Sequence, residues 1–164
     1  MLKKNIFKKY KWYFLVVLLT SLDVISKYWL KIYFSLQEVL HIFPGLDFCY
    51  ILNSGLALGL FSDIGRSYNK LFLLIISLII IIFIILLYRS IQYSMCVYDK
   101  LSYSMIVGGS LGNLYDRVLY GSVTDFIDLY IKNWHWPIFN IADIEVCIGF
   151  LILLVGYRVN FKDH

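Results

Sequence analysis

The sequence predicts a membrane all-α fold over residues 1–164 as a single domain. It comprises four transmembrane helices, a small extracytoplasmic β-sheet or hairpin, and an amphipathic outer loop or helix. Hydrophobic residues make up 60% of the chain, and the mean hydropathy is +0.74. Leu71–Tyr88 contains no charged residue, and few soluble core helices are apolar on every face over such a length. The chain length of 164 residues is typical of one domain.

The four spans are predicted at about residues 12–34, 71–88, 101–120 and 140–159. Trp12 and Trp29 are placed as interfacial anchors of the first span. A basic segment precedes this span, but no small-residue cleavage site follows it, so a spanning helix is favoured over a cleaved signal peptide. Asp23 and Lys27 lie four residues apart, in the order that favours an ion pair. Because burying such a pair seldom serves stability alone, both are candidates for site support.

Two segments, 35–70 and 121–139, are predicted outside the membrane. In the first, the turn signal Pro44-Gly45 separates two β-prone runs, which indicates a hairpin or small sheet. The run Asn53-Ser54-Gly55-Leu56-Ala57-Leu58-Gly59 follows, and its two glycines beside an amide suggest special backbone conformations near a site. The second segment is expected to be the amphipathic stretch that lies at the interface.

The distribution of lysine and arginine predicts that both termini are cytoplasmic. With the N-terminus inside, the inner segments carry nine of these cations and the outer segments carry four. The net charge of +4 is scattered and forms no basic groove, so membrane lipid is the expected partner and nucleic acid is not.

Metal and thiol chemistry are not predicted. Cys49, Cys96 and Cys147 are widely spaced without a CxxC motif, so they are expected to be buried apolar thiols rather than a disulfide or zinc site. The histidines fit no metal-binding motif, and there is no GxSxG nucleophile motif.

The most informative stretch is Gly108-Gly109-Ser110-Leu111-Gly112-Asn113-Leu114-Tyr115-Asp116-Arg117. In a helix, Gly108 and Gly112 form a small-residue face that admits another helix, and Gly121 is expected to end the helix. Ionisable groups inside a membrane are costly, so Asp116 and Arg117 are functional candidates.

Two carboxyl groups are predicted to meet at the outer membrane surface. Asp125 follows the end of the third span, and Asp143 lies at the start of the fourth. Asn140 and Asp143 also fit a capping box, and both roles are compatible. An ionised and a protonated carboxyl can activate a water and polarise a carbonyl, which is the chemistry of aspartic peptide hydrolysis. Asp128 is expected to be a solvated companion.

Four motifs occur in an order and spacing that resemble bacterial lipoprotein signal peptidase, the type II signal peptidase. They are the stretches 53–59 and 108–117 given above, Val123-Thr124-Asp125-Phe126 and Phe139-Asn140-Ile141-Ala142-Asp143. The resemblance covers nearly the whole chain. It implies a metal-free and cofactor-free aspartic endopeptidase in the bacterial inner membrane, with its active site at the outer face. The implied substrate is a diacylglyceryl-modified prolipoprotein, cut just before the lipidated cysteine, and no obligate protein partner is implied.

On this resemblance the catalytic pair is Asp125 and Asp143. The substrate-binding or site-supporting positions are Asp23, Lys27, Asn53, Gly55, Gly108, Asn113, Asp116, Arg117 and Asn140. The family usually has small residues after the second aspartate, where this chain has Ile144 and Glu145. Glu145 is about 200° around the helix from Asp143, so it is not expected to join the pair.

Two other classes of function remain open from the residues. An ion-coupled transporter could use Asp23, Asp116, Asp125 and Asp143 as a proton relay, but the inner halves of the spans are almost wholly apolar. A non-enzymatic lipoprotein-binding or assembly factor is the third possibility.

Overall fold

A computed structural model describes residues 2–54, 69–91 and 96–160. The elements within these residues are α1 (Leu2–Tyr33), β1 (Val39–Phe43), β2 (Leu46–Asn53), α2 (Asn69–Ile91), α3 (Val97–Tyr120), β3 (Val123–Ile131), β4 (Trp134–His135) and α4 (Ile141–Asn160). Helices combined with a small antiparallel sheet agree with the predicted fold.

Each predicted span corresponds to one of the helices, and the helices extend beyond the predicted limits at one or both ends. Tyr10–Tyr33 is, within the described residues, the one helical stretch long and apolar enough to cross a membrane, with a mean hydropathy of 1.4. The apolar stretch Ser77–Arg89 of α2 is shorter. These measures alone therefore do not establish four spans.

Helix α3 lies at the centre of the helical part and packs against α1, α2 and α4. Its glycines allow the close approach predicted from their spacing. A Cβ added at Gly112 would clash with the Asp23 carboxylate of α1, and one added at Gly109 would clash with the Ala142 carbonyl of α4. At Gly108 it would lie 2.8 Å from Leu19 Cβ. The predicted small-residue face is confirmed.

The sheet has four antiparallel strands in the order β1-β2-β3-β4. Strand β3 pairs with β2, placing Ile51 opposite Asp125, and this pairing corrects the expectation of an amphipathic loop or helix over 121–139. The β-branched and aromatic residues of β3 suit a strand, and β2 satisfies its backbone hydrogen bonds. The predicted hairpin around Pro44-Gly45 is present as β1 and β2.

Three smaller expectations also require correction. Cys49 is buried as expected. Cys96, which precedes α3, and Cys147 of α4 are both exposed. Asp128 is buried rather than solvated, because it lies inside the sheet and accepts a hydrogen bond from His135. Burial, with the charges of neighbouring aspartates, raises the pKa of the Cys49 thiol to about 12, so this thiol stays protonated at neutral pH.

Candidate active site

Asp125 is positioned by the turn that follows α3. Gly121 caps the helix in the left-handed conformation, with φ 70°, and its N–H donates to the Arg117 carbonyl over 3.0 Å. The chain then turns into β3, where the Thr124 N–H donates to Asp116 Oδ2 over 2.8 Å. Asp116 is only 2% exposed, so this bond fixes the residue directly before Asp125.

Asp143 is positioned by the start of α4. The Asn140 side chain accepts a hydrogen bond from the Asp143 N–H over 3.0 Å, and Asp143 Oδ2 accepts one from the Asn140 N–H over 3.3 Å. This reciprocal pair is the predicted capping box, formed here with Asn in the cap position. The helix N-terminus favours a negative charge on Asp143.

Phe139 brings the two carboxyl groups together. Its carbonyl accepts hydrogen bonds from the N–H groups of Phe126 and Ile127, over 3.0 and 2.8 Å, and its own N–H donates to the Ile127 carbonyl. This short backbone connection joins the strand residues that follow Asp125 to the residue that precedes Asn140. The first half of β3 and the start of α4 are thereby held side by side.

Two asparagine side chains lie between the carboxyl groups. Asn140 Nδ2 donates to Asp125 Oδ1 over 2.6 Å and to Asn113 Oδ1 over 3.1 Å. Asn113 Nδ2 donates to Asp143 Oδ1 over 2.9 Å. On the other side, Asn53 Nδ2 donates to Asp125 Oδ2 over 2.8 Å. Both carboxyl groups are therefore oriented by amide donors, and a single asparagine, Asn140, contacts both.

The Asp23–Lys27 pair supports this arrangement from α1. Lys27 Nζ lies 2.6 Å from Asp23 Oδ2 and 2.8 Å from Asn113 Oδ1. Asp23 Oδ1 accepts the Ala142 N–H of α4 over 2.9 Å. The Asp23 and Lys27 side chains are 0% and 1% exposed. A buried charge requires such partners, and here each partner also positions a neighbour of Asp143.

The remaining candidates lie around this centre. Arg117 is half-buried, and the charges that act on it most strongly are those of Asp143, Asp125 and Asp116. The Gly108 carbonyl accepts a hydrogen bond from Thr20 Oγ1 over 3.0 Å, so this glycine serves helix packing. Gly55 lies outside the described residues.

Burial changes the acidity of Asp125, which is 3% exposed. Its pKa is raised to about 6. Loss of hydration is the main cause and the Asp143 charge adds to it, while hydrogen bonds from Asn53 and Asn140 act in the opposite direction. Asp143 remains half-exposed. Two adjacent carboxyl groups thus have different environments, the condition for one acid and one base in the same site.

Sequence reasoning missed Lys31 and the main-chain donors. Lys31 Nζ lies 3.0 Å from Asp116 Oδ1 and 3.5 Å from the centre of the Tyr120 ring. Its position four residues after Lys27 was the available signal, since the two side chains then share a helix face. The N–H groups of Thr124 and Ala142 could not be recognised from sequence, because a main-chain donor is present in every residue except proline.

The site can be compared with known proteins. The family model described as signal peptidase (SPase) II matches residues 15–158. The chain belongs to the signal peptidase II family. This family member is 49% identical over 155 residues to the lipoprotein signal peptidase of Blochmanniella pennsylvanica, covering 94% of this chain and 93% of that relative. The lipoprotein signal peptidase of Wigglesworthia glossinidia brevipalpis is 41% identical over 147 residues, covering 88% and 92%.

Solved structures agree with the family assignment. One, described as a bacterial membrane enzyme solved by the in meso method at 2.3 Å resolution, superposes with a TM-score of 0.80 at 28% identity. That comparison covers 93% of this chain and 90% of the other. A second, solved at 1.9 Å, gives a TM-score of 0.76 at 30% identity and covers 90% and 92%. This signal peptidase II family member is accordingly a membrane protein of a peptidase family.

Proposed function

We propose that this chain is an aspartic endopeptidase that removes the signal peptide from diacylglyceryl-modified prolipoproteins, just before the lipidated cysteine. The observation that carries the proposal is the connection of Asp125 and Asp143 through Asn140. The family assignment supports the lipoprotein substrate, and two aspartates with different environments support the aspartic mechanism. The mechanism uses no metal ion and no cofactor.

Asp143 is the proposed general base. Its carboxylate accepts hydrogen bonds from the Asn140 N–H and from Asn113 Nδ2, and it lies at a helix N-terminus, so these donors orient it to accept a proton from water. A water between the carboxyl groups loses a proton to Asp143 as its oxygen attacks the scissile carbonyl carbon. The half-exposed position of Asp143 gives this water access to the base.

Asp125 is the proposed proton donor, because its burial favours the neutral form. It protonates the carbonyl oxygen as the tetrahedral intermediate forms. Asp143 then passes the proton taken from water to the departing nitrogen, and the C–N bond breaks. Asp125 recovers its proton from a hydroxyl of the intermediate, so both groups return to their starting states.

Placement in the bacterial inner membrane, with four spans, is part of the proposal. Large apolar side chains are exposed on the helices, among them Ile25 of α1, Ile79 of α2 and Leu151 of α4, and lipid would cover them. The distribution of lysine and arginine supports a cytoplasmic location for both termini. The aspartate pair then lies at the outer surface, where the scissile bond of a lipidated substrate is located.

The ion-coupled transporter is the weaker candidate. A proton path would need ionisable groups that continue toward the inner face. Residues 71–88 contain no Asp, Glu, His, Lys or Arg, and their one titratable side chain is Tyr88 at the end. Residues 146–156 of α4 contain neither an acid nor a base other than Cys147. An assembly factor without enzyme activity would not require two adjacent aspartates in different environments.

The decisive experiment uses purified protein and a synthetic diacylated precursor in the presence of a chelator. Asp125→Asn and Asp143→Asn are each expected to abolish cleavage. Asp128→Asn is the matched control, because Asp128 is a buried aspartate of the same strand that contacts His135 instead of Asn140. Retained cleavage in either of the first two variants would refute the assigned pair.

A further inference from the structure

A cavity lies away from the aspartates, between α1, α2 and α3. Its volume is about 420 Å³, which is within the range of small-ligand sites. The lining includes Tyr13 and Val16 of α1, Ile85, Tyr88 and Arg89 of α2, and Val107 of α3. The cavity occupies the part of α3 that precedes Asn113, so it is separate from the proposed active site.

The cavity combines an apolar wall with a cationic rim. Arg89 is exposed, and no carboxylate within the described residues lies at ion-pair distance from it. Lys11 adds a second cation, 4.6 Å from the centre of the Trp12 ring that also lines the cavity. The carboxylate of Asp99, at the start of α3, accepts a hydrogen bond from the Cys96 N–H and is not at ion-pair distance from Arg89. The rim therefore offers positive charge to a ligand.

The aromatic rings place this rim at the level of lipid head groups. Tyr13 and Tyr88 form an edge-to-face pair with centroids 6.0 Å apart, and Tyr88 is 6.4 Å from Tyr103. Tyrosine and tryptophan concentrate at membrane interfaces, where the ring is apolar and the polar atom reaches water. Lys8, Lys9 and Lys11 directly precede this part of α1, which places it on the cytoplasmic side in the proposed orientation.

We infer that this cavity binds one anionic phospholipid of the cytoplasmic leaflet, with its phosphate on Arg89 and an acyl chain against Val16, Ile85 and Val107. The leaflet rests on the proposed membrane orientation, but the site does not depend on peptidase activity. A phosphate satisfies the planar donors of arginine, and the apolar wall suits a hydrocarbon chain. A signal peptide is disfavoured as the occupant because its basic N-terminal region would be repelled by Arg89 and Lys11.

The test compares phosphatidylglycerol with phosphatidylcholine carrying the same acyl chains, each added to purified full-length protein and followed by native mass spectrometry. The protein is expected to retain one phosphatidylglycerol at least about tenfold more tightly than phosphatidylcholine. Both lipids carry the phosphate, but the choline cation of phosphatidylcholine is repelled by Arg89 and Lys11. Arg89→Gln should remove this preference, whereas Arg89→Lys should keep most of it. Lys132→Gln is the matched control, because it removes one exposed cation from the opposite end of the molecule.

A second variant separates the cavity from surface charge. Ile85→Trp keeps Arg89 but fills the cavity, and it should release the bound phosphatidylglycerol. Retention equal to wild type in Arg89→Gln or in Ile85→Trp would overturn the inference. It would also be overturned by an equal loss in Lys132→Gln, or by a synthetic signal peptide that displaces the lipid one for one. Cleavage by Arg89→Gln is scored in parallel, so failure of this inference is distinguishable from failure of the proposed peptidase activity.

Discussion

Asn140 Nδ2 donates a hydrogen bond of 2.6 Å to Asp125 Oδ1, while Asn140 Oδ1 accepts the Asp143 N–H over 3.0 Å. One side chain therefore holds one carboxyl group and caps the helix that carries the other. The two tasks need different atoms of the amide: the oxygen caps the helix, and the nitrogen binds Asp125. They can be separated by substitution.

Asn140→Ser should retain the fold and lose activity. Serine is a good helix N-cap, so the free energy of unfolding should stay within about 0.5 kcal/mol of wild type, whereas Asn140→Ala should lose about 1 kcal/mol. Alanine has no donor, and the serine hydroxyl is one bond shorter than the amide and does not reach Asp125, so cleavage should fall by about 10²-fold or more in both, as when an active-site hydrogen-bond donor is removed. Thermal unfolding and the cleavage rate are measured on the same samples. Wild-type activity in Asn140→Ser would show that the contact with Asp125 is dispensable.

The acidity of Asp125 predicts a pH-dependent rate. Because its pKa is raised to about 6, the proton that it donates is lost as the pH rises through that value. The ratio kcat/KM should therefore decline on the alkaline side with an apparent pKa of about 6, which belongs to the aspartate pair as a unit. A rate that rises between pH 6 and 8 would contradict the assignment of Asp125 as the proton donor.

The same group links stability to pH. A folded-state pKa of about 6, above the ordinary value of 3.8 for an aspartate, means that the folded state holds this proton more tightly than the unfolded state. The stabilisation is complete below pH 3.8 and is lost as the pH rises to about 6, a contribution on the order of 3 kcal/mol. Asp125→Asn cannot titrate, so its melting temperature should fall less between pH 4 and 7 than that of wild type. Parallel melting curves for the two proteins would contradict this.

Much of the site could be predicted from sequence because its side chains come from four local motifs. Asp125, Asn140 and Asp143 were identified from motif residues, and the capping box followed from local spacing alone. Strand β3 could not be recognised, because its pairing with β2 joins residues at least 70 positions apart and its tryptophan-rich continuation is typical of a membrane interface. The Lys31–Asp116 pair likewise depends on how α1 crosses α3, which the spacing within one helix does not determine.

The Asp23–Lys27 pair should be sensitive to removal of one partner. Lys27→Met leaves the Asp23 carboxylate buried without its cation, which should cost about 3–5 kcal/mol. The double variant Asp23→Asn, Lys27→Met removes both charges, so it should be less destabilised than the sum of the single variants. Cleavage should fall in both, because Asn113 loses the Lys27 donor and with it part of the orientation of Asp143. Additive losses of stability would show that the two charges are not coupled.

The close approach of α1 and α3 should not tolerate a side chain at Gly112. A Cβ there would overlap the Asp23 carboxylate, so Gly112→Ala should cost about 1–3 kcal/mol and displace Lys27. Gly156→Ala is the matched control, because the nearest atom to its Cβ would be Asp99 Oδ1 at an ordinary 3.7 Å. That substitution should be neutral or stabilise α4 by up to about 1 kcal/mol. Equal melting temperatures for the two variants would contradict the packing argument.

Glu145 differs from the other buried acids in having no described partner. It is 4% exposed, and neither carboxyl oxygen has a hydrogen bond within the described part of the chain. Asp23 and Lys27 are the charges that act on it, and Asp23 already pairs with Lys27 over 2.6 Å. A buried polar group without hydrogen bonds is destabilising, so Glu145 should reduce the stability of the protein. Asp23, whose carboxylate is paired, should contribute to stability instead.

Glu145→Met should therefore stabilise the protein by about 1–3 kcal/mol, because an apolar side chain of similar length replaces a carboxyl group that lacks hydrogen bonds. Glu145→Gln is the control, since it keeps the shape and a polar group in the same place and should gain less. Cleavage should remain near wild type in both, because Glu145 faces away from Asp143 by about 200° around α4. A loss of stability or of cleavage in Glu145→Met would mean that the carboxyl group supports the Asp23–Lys27 pair. A loss of stability alone would indicate a structural contribution, and a loss of cleavage alone would indicate a functional one.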